Sequence, residues 1–443
     1  MQLPYVEDPL PLLARLRSLG HPVLLHGADR SHPASRHDVL AAGPEAVLTA
    51  RSGRAFLDRG AGPEALAEAP LAALATLHGE LPVPTRRDGP FGGGLLGLAG
   101  YDLGRGLLRA PPRLAPDHAF PELVAGVYPW ALVTDHRLRR SELVVLPGRD
   151  CPAEVRALLR RADRLPPVRP AAPPALQPET SRAAHRRACE RVLAYLHAGD
   201  CYQVNLAVRF AGHTRADALA LYAALLARQP APFGGFLETP DGAVLSFSPE
   251  RFLRVADGRV ETRPIKGTRA RDADPLRDRA ARAALLASPK DRAENLMIVD
   301  LLRNDLGRSC RPGSVRVPAL FRPERFRAVH HLVSVVRGEL APGVGPVEAF
   351  AAAFPGGSVT GAPKVRAMDV IEELEDARRG PYCGSLLLAD GAGRLDSSIT
   401  IRTLLHTDGR LLCWGGGGIV ADSDPDAEWE EIRHKVGSLV CGA

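Results

Sequence analysis

Arg263-Pro264-Ile265-Lys266-Gly267-Thr268-Arg269 places a lysine between a proline and a glycine in a chain that has almost none. Of the 57 basic residues, all but Lys266, Lys290, Lys364 and Lys435 are arginine. Arginine serves wherever a fixed charge suffices, but it cannot give up its proton and so cannot act as an amine nucleophile or base. A lysine kept at this position points to amine chemistry. The plain alternative is that a general bias toward arginine left four lysines by chance. A reactive lysine also needs a perturbed pKa, which a sequence does not display.

Outward from that stretch, the 443 residues allow one large domain or two to three ordinary ones, and 45% apolar content supports a substantial core. Aromatics make up only 5%, so aliphatic side chains must fill it. The opening MQLPYVEDPL has no basic region followed by an apolar run, and no window approaches eighteen uninterrupted apolar residues. Neither a secretory signal nor a membrane span is expected. Seven scattered cysteines, none in a C-x-x-C pair, fit a reducing cytoplasm and argue against zinc or iron–sulfur sites. The net charge of +6 is spread over dispersed arginines, with no basic stripe or stacking motif that would imply nucleic-acid binding.

In chain order, residues 22–26 and 38–42 read as strands and 63–78 as a helix. Gly89-Pro90-Phe91-Gly92-Gly93-Gly94-Leu95-Leu96-Gly97 contains a formal G-x-G-x-x-G, but no periodic helix follows to cradle a pyrophosphate. A glycine-rich strand lying close to another backbone is the better account. The proline-rich run 166–178 divides an N-terminal part, 1–165, from a C-terminal part, 179–443. Beyond it, 181–198 reads as helix and 200–206 as strand, with Cys201 a small buried residue. Residues 243–247 and 252–255 read as neighbouring strands joined through Ser248-Pro249-Glu250. Ser288-Pro289 starts a helix toward Gly307, and Asp424-Pro425 starts another toward Leu439.

Those two helix starts share a pattern. Asp291 and Glu294 lie three apart on one face, and so do Glu428 and Glu431. On facing helices such carboxylates suit a hard cation such as Mg2+, with waters completing the octahedron. The helix dipole also favours acids in a first turn with no metal at all. Lys435 sits four residues after Glu431 and can pair with it, for only about 0.3–0.5 kcal/mol if exposed. Phe354-Pro355-Gly356-Gly357-Ser358-Val359-Thr360-Gly361-Ala362-Pro363-Lys364 fails as a phosphate loop, because Ala362-Pro363 separates Gly361 from the lysine. The run Gly415-Gly416-Gly417-Gly418 lets backbone amides approach a carboxylate closely. Arg402 alternates with apolar neighbours on an expected strand, either as an edge residue or as a carboxylate fork. His331 opens another strand, where a core or surface histidine is the commoner role.

Taken together, these stretches resemble the chorismate-utilising enzymes, and within them the branch that makes aminodeoxychorismate. The resemblance rests on Asp200-Cys201-Tyr202-Gln203-Val204-Asn205-Leu206, Ser248-Pro249-Glu250-Arg251-Phe252, Pro264-Ile265-Lys266-Gly267-Thr268, DRAENLMIVDLLRND from Asp291, His331-Leu332-Val333-Ser334, GGSVTGAPKVRAM from Gly356, Ile401-Arg402-Thr403 and the segment 418–424. It implies an α+β fold of two large, mostly antiparallel sheets packed face to face with helices outside. It also implies that chorismate, bound through Mg2+, exchanges its ring hydroxyl for an amine. Glu294 and Glu431 match the family's metal ligands, with Asp291 and Glu428 in support through water. Arg402 and the glycine amides, Gly416, Gly417 and Gly418 among them, would hold substrate carboxylates. Tyr382, Thr268 and Ser358 join the substrate-binding set, and Lys435 would help neutralise a carboxylate. Glu250 would protonate the departing C4 hydroxyl, and His331 matches a histidine near the ring.

Two positions separate branches of the family. Isochorismate and salicylate synthases carry a lysine base where this chain has Gln203, so hydration at C2 is disfavoured. Anthranilate synthases read P-I-A-G-T where this chain has Lys266. In the aminodeoxychorismate branch that lysine is the proposed nucleophile. No glutaminase elbow is present, so a separate amidotransferase subunit is expected to supply ammonia. An anthranilate synthase component, or a catalytically idle relative that binds an aromatic ligand as a regulator, are the alternatives.

Overall fold

The computed structural model describes residues 2–84, 89–326, 329–437 and 439. Cys441, one of the seven cysteines, lies outside them. Two twelve-stranded sheets form the body of the chain. Their pairings are antiparallel, from the hairpin Trp130–Asp135 with Arg140–Val145 to the ten-residue ladder of Gln203–His213 on Arg410–Ile419.

Sequence alternation explains the layering. Val23, Val39, Val244 and Leu405 belong to one core, while their chain neighbours Leu24, Leu40, Leu245 and Leu404 belong to another. Successive side chains of a strand point to opposite faces, so each such strand is buried on both sides. The first core also holds Leu48, Leu96, Val124 and Leu387 of the second sheet, and so lies between the sheets. The second core sits under the helices Leu10–Leu16 and Ala218–Leu226, through Leu12, Leu13, Leu221 and Leu225. Both sheets draw strands from either side of residues 166–178.

Two expectations need correction. Residues 63–78 are not one helix: Pro63–Ala65 is an edge strand, and the helix is Pro70–Gly79. Pro70 at its first turn fixes φ for a helix start, while residues 63–65 pair on the strand Arg54–Asp58 instead. The strands Gly242–Ser246 and Arg251–Ala256 are not neighbours; they belong to different sheets. Three residues that look like a tight turn carry the chain across the sandwich.

The glycine-rich strand Gly94–Ala99 is buried at every residue. A Cβ at Gly97 would fall 2.1 Å from the Val124 carbonyl oxygen, so the two backbones approach as only glycine allows. Gly97→Ala is expected to cost at least about 1–3 kcal/mol, seen as a lower urea midpoint at unchanged slope.

Candidate active site

Two crossings between the sheets build the floor of the site. Ser248-Pro249-Glu250 leads from Gly242–Ser246 into Arg251–Ala256, and residues 399–402 lead back from Arg394–Ser398 into Thr403–Thr407. The crossings hold each other. The Phe247 amide donates to the Arg402 carbonyl (3.0 Å), the Ile399 amide to the Glu250 carbonyl (3.0 Å), and Ser248 Oγ to the Ile399 carbonyl (2.5 Å). Arg402 therefore lies off the strand on which alternation placed it, with φ of 51° in the left-handed region. Such a conformation persists where surrounding contacts hold it, and the paired crossings do so.

Lys266 is the second residue of the strand Ile265–Ala270, at the end of the second sheet. Its partner strand is Val329–Glu339, and their register slips between Lys266 and Thr268. Gly267 takes φ of 75° at that slip. A Cβ there would lie 3.0 Å from Cβ and Cγ of Asp291, so glycine lets the first acidic helix rest on this strand. That helix, Pro289–Gly307, begins where Ser288 Oγ accepts from the Asp291 amide (3.3 Å). Asn295 pins it to Val329–Glu339, donating to the Leu332 carbonyl (3.2 Å) and accepting from Ser334 Oγ (2.5 Å). The second acidic helix, Pro425–Gly437, starts under Asp424, which accepts from the Ala427 amide (2.8 Å), and packs Ile432 and Val436 on Gly415.

A cavity of about 720 Å³ opens between these elements. Lys266, Glu250, His331, Arg402, Tyr382, Gly416, Gly418, Lys435, Thr268, Ser358, Glu294, Glu431, Glu428 and Asp291 all line it. Gly417 does not: Glu428 Oε2 lies 2.5 Å from where its Cβ would stand. Part of the glycine backbone is also engaged, because residues 415–418 pair with residues 205–208 and the Gly416 carbonyl accepts from Lys435 Nζ (3.0 Å). Their other edge has no paired strand past Cys413 among the described residues, since Thr403–Thr407 ends opposite it.

Sequence reasoning passed over Asn205, Arg269, Lys290 and His434, which also line the cavity. Lys290 had a signal that was not used. Three of the four lysines line this one cavity, and the fourth, Lys364, is buried against Asp305 at 2.8 Å. A larger neighbouring cavity of about 1030 Å³ shares only Pro249 and Ile265 with it. Arginines there are largely matched within the chain, as Arg251 is by Asp396 (2.8 Å) and Arg36 by Asp135 (2.7 Å).

Charge is arranged unevenly across the site. Burial pushes the Glu250 carboxyl up to about 7, against the pull of Lys266 and of the Ser358 hydroxyl, which donates to it at 3.2 Å. Burial pulls the Lys266 amine below the usual lysine value, although Glu294 and Glu250 oppose the shift. His331, buried edge-on to Phe326 and 3.0 Å from Thr268 Oγ1, is lowered to about 4 by burial and is neutral at pH 7. Tyr382 is buried and stacked on Trp414, with 6.2 Å between ring centroids. At pH 7 the site thus pairs a carboxylic acid near its midpoint with an amine shifted toward its neutral form.

The four carboxylates of the helices offer only hard oxygen donors. Burial raises Glu294 and Glu428; Lys266 and Lys290 oppose it at Glu294 and Ser423 at Glu428, while neighbouring carboxylates add to it, Asp291 and Glu431 in the first case and Glu431 in the second. A divalent cation would relieve that repulsion, so their chemistry fits a magnesium ion. Among the described residues no three of them converge at metal-binding distance. Asp291 is held by Arg269 (2.8 Å), Glu431 by Lys435 (2.6 Å) and Glu428 by Ser423 (2.7 Å).

Comparison with known proteins gives the family. Residues 22–440 match the chorismate binding enzyme family. The chain is 45% identical to aminodeoxychorismate synthase component 1 of Salmonella typhimurium, over 94% of this chain and 92% of that protein. It is 41% identical to anthranilate synthase component 1 of Thermus thermophilus, over 79% and 77% respectively. Anthranilate synthase component I from Streptococcus pneumoniae superposes with a TM-score of 0.82 at 29% identity, covering 93% of both chains. Among the described residues no helix is long and apolar enough to cross a membrane. The two-sheet sandwich, the acidic helices facing one cavity and a family match over nearly the whole length make this chain a member of the chorismate binding enzymes.

Proposed function

We propose that the chain is the chorismate-converting component of an aminodeoxychorismate synthase, turning chorismate and ammonia into 4-amino-4-deoxychorismate. The observation that carries this is the facing pair of Lys266, an amine depressed by burial, and Glu250, a carboxyl raised to about 7. The Lys266 amine forms a bond to C2 of the ring while both ring double bonds shift, C1=C2 to C1=C6 and C5=C6 to C4=C5, and the C4 hydroxyl leaves as water with the proton of Glu250. Ammonia then bonds to C4, both double bonds shift back, the Lys266 amine departs from C2 with its bonding pair, and the proton shed by the new C4 amine returns to Glu250. Addition twice with transposition returns nitrogen to the carbon that lost oxygen. Arg402 and the free edge of the glycine strand are suited to the substrate carboxylates, and His331 and Tyr382 to the ring. Glu294 and Glu431 would hold Mg2+, with Asp291 and Glu428 through water. When bound, it would supply a fixed double positive charge for a substrate carboxylate.

Ammonia comes from a separate glutamine amidotransferase, as the word component in the relatives' names leads one to expect. Six free buried cysteines suit a reducing cytoplasm as the place of reaction. Incubation with chorismate, Mg2+ and ammonium, followed by an aminodeoxychorismate lyase, is expected to yield p-aminobenzoate. Anthranilate as the product would move the chain to the other branch. Absence of any turnover with a saturating amidotransferase would favour a ligand-binding regulator.

A further inference from the structure

Each carboxylate assigned above to magnesium has a partner or a counter-charge within the chain, and the partners differ in kind. Lys435 and Glu431 belong to one helix, where Lys435 also donates to the Gly416 carbonyl (3.0 Å). Ser423 caps Glu428 from the adjoining turn. Arg269 is different: it lies three residues past Lys266 on the strand Ile265–Ala270, yet its guanidinium reaches across to Asp291 in the first turn of Pro289–Gly307. Arg269 also donates to the Thr268 carbonyl (2.8 Å), so the clasp is anchored on the strand's own backbone. The bulge at Gly267 brings the two elements close enough for the clasp to close.

We propose that Arg269 competes with the divalent cation for Asp291: the clasp must open before Asp291 can hold a water of the ion. The proposal rests on the metal assignment made above and adds a consequence to it. Because the clasp joins the Lys266 strand to the acidic helix, ion binding and nucleophile placement are coupled through one side chain. Arg269 is a positioning residue, acting through Asp291.

Titration of the full chain with Mn2+, followed by electron paramagnetic resonance of the free ion without chorismate, tests this directly. Arg269→Gln removes the competing charge and keeps a polar side chain. It is expected to bind Mn2+ about fivefold more tightly than wild type, the fold-change that loss of a half-exposed ion pair allows. Arg303→Gln removes an equal charge from the helix that carries Asp291, where Arg303 pairs with Asp300 in the open at 3.1 Å, and is expected to leave the affinity unchanged. Arg269→Gln combined with Asp291→Asn is expected to bind no more tightly than Asp291→Asn alone. An unchanged or weaker affinity in Arg269→Gln overturns the clasp while leaving the metal assignment standing. An equal gain in Arg303→Gln overturns it too, since bulk charge would then account for the effect. Should neither wild type nor Arg269→Gln take up Mn2+, the metal assignment fails and the clasp falls with it.

Discussion

Lys266→Ala is expected to lower glutamine-driven formation of the 4-amino product on the order of 10³-fold or more, and Lys266→Arg is expected to do no better. Removing the nucleophile from a set of groups that act as a unit costs most of what the unit supplies. The residual rate then comes from substrate binding and electrostatics alone. Arginine would restore the positive charge but not the lone pair, so the pair of variants separates a charge role from a nucleophile role. The surroundings agree with the second. Burial lowers the Lys266 amine even though Glu294 and Glu250 are present to raise it. A site built only to place a cation near a carboxylate would have no use for that desolvation. Two further observations follow from the same chemistry. Wild type given chorismate without ammonia is expected to carry a covalent adduct on the peptide containing Lys266, visible by intact-protein and peptide mass spectrometry. In Lys266→Ala, ammonia has only C2 open to direct attack, so the trace product is expected to be anthranilate. Full turnover in the alanine variant would defeat the covalent route and leave family membership untouched.

How much of this was legible depended on how local each signal is. Helix starts depend on a few adjacent residues, and Ser288 and Asp424 do cap helices where Ser-Pro and Asp-Pro placed them. Strand periodicity is equally local, and the strand read at 22–26 does place Val23 and Leu24 in different cores. The sheet crossings were not legible. Ser248-Pro249-Glu250 between two apolar runs has the composition of a hairpin turn, and only the strands' distant partners show that they belong to different sheets. Arg402 was lost for the same reason, since an alternating run gives no sign that its middle residue turns to positive φ. Family resemblance supplied Glu250, where physics applied to the sequence alone would have left it in a turn, and it chose the carboxylate fork over the edge residue for Arg402. Gly417 marks the limit of resemblance: a run of four glycines cannot say which of them a glutamate side chain will cover. Arg269 was invisible for a simpler reason. In a chain with so many arginines, one more beside a threonine carries no information until Asp291 is seen against it.

Glu250→Gln is expected to lose activity and gain stability, the first effect largest below pH 7 and the second largest above it, both set by one carboxyl. Glu250 keeps its proton up to about 7, so the acid that protonates the leaving hydroxyl is present below that pH and is lost above it. Wild-type kcat/KM should therefore fall on the alkaline side with a midpoint near 7, while burial of Lys266 keeps its amine usable further toward acid than an exposed lysine would be. Removing a positioned acid costs about 10²–10⁴-fold, and the glutamine variant should lack the alkaline limb along with the rate. Stability runs the other way. The unfolded chain ionises this carboxyl near its ordinary value of 4.5, and the folded chain only near 7. Rising pH between those values therefore favours the unfolded state, by up to about 3 kcal/mol once the folded group is ionised as well. Glutamine cannot ionise and can still accept from Ser358. Glu250→Gln should match wild type in melting temperature at pH 4 and exceed it at pH 8, measured by calorimetry on the intact chain. A variant less stable than wild type at pH 8 would mean that the Glu250 carboxylate is well solvated or paired when the site is at rest. An alkaline limb that survived the substitution would move the departing oxygen's proton to another group, with Ser358 and His331 the nearest to examine.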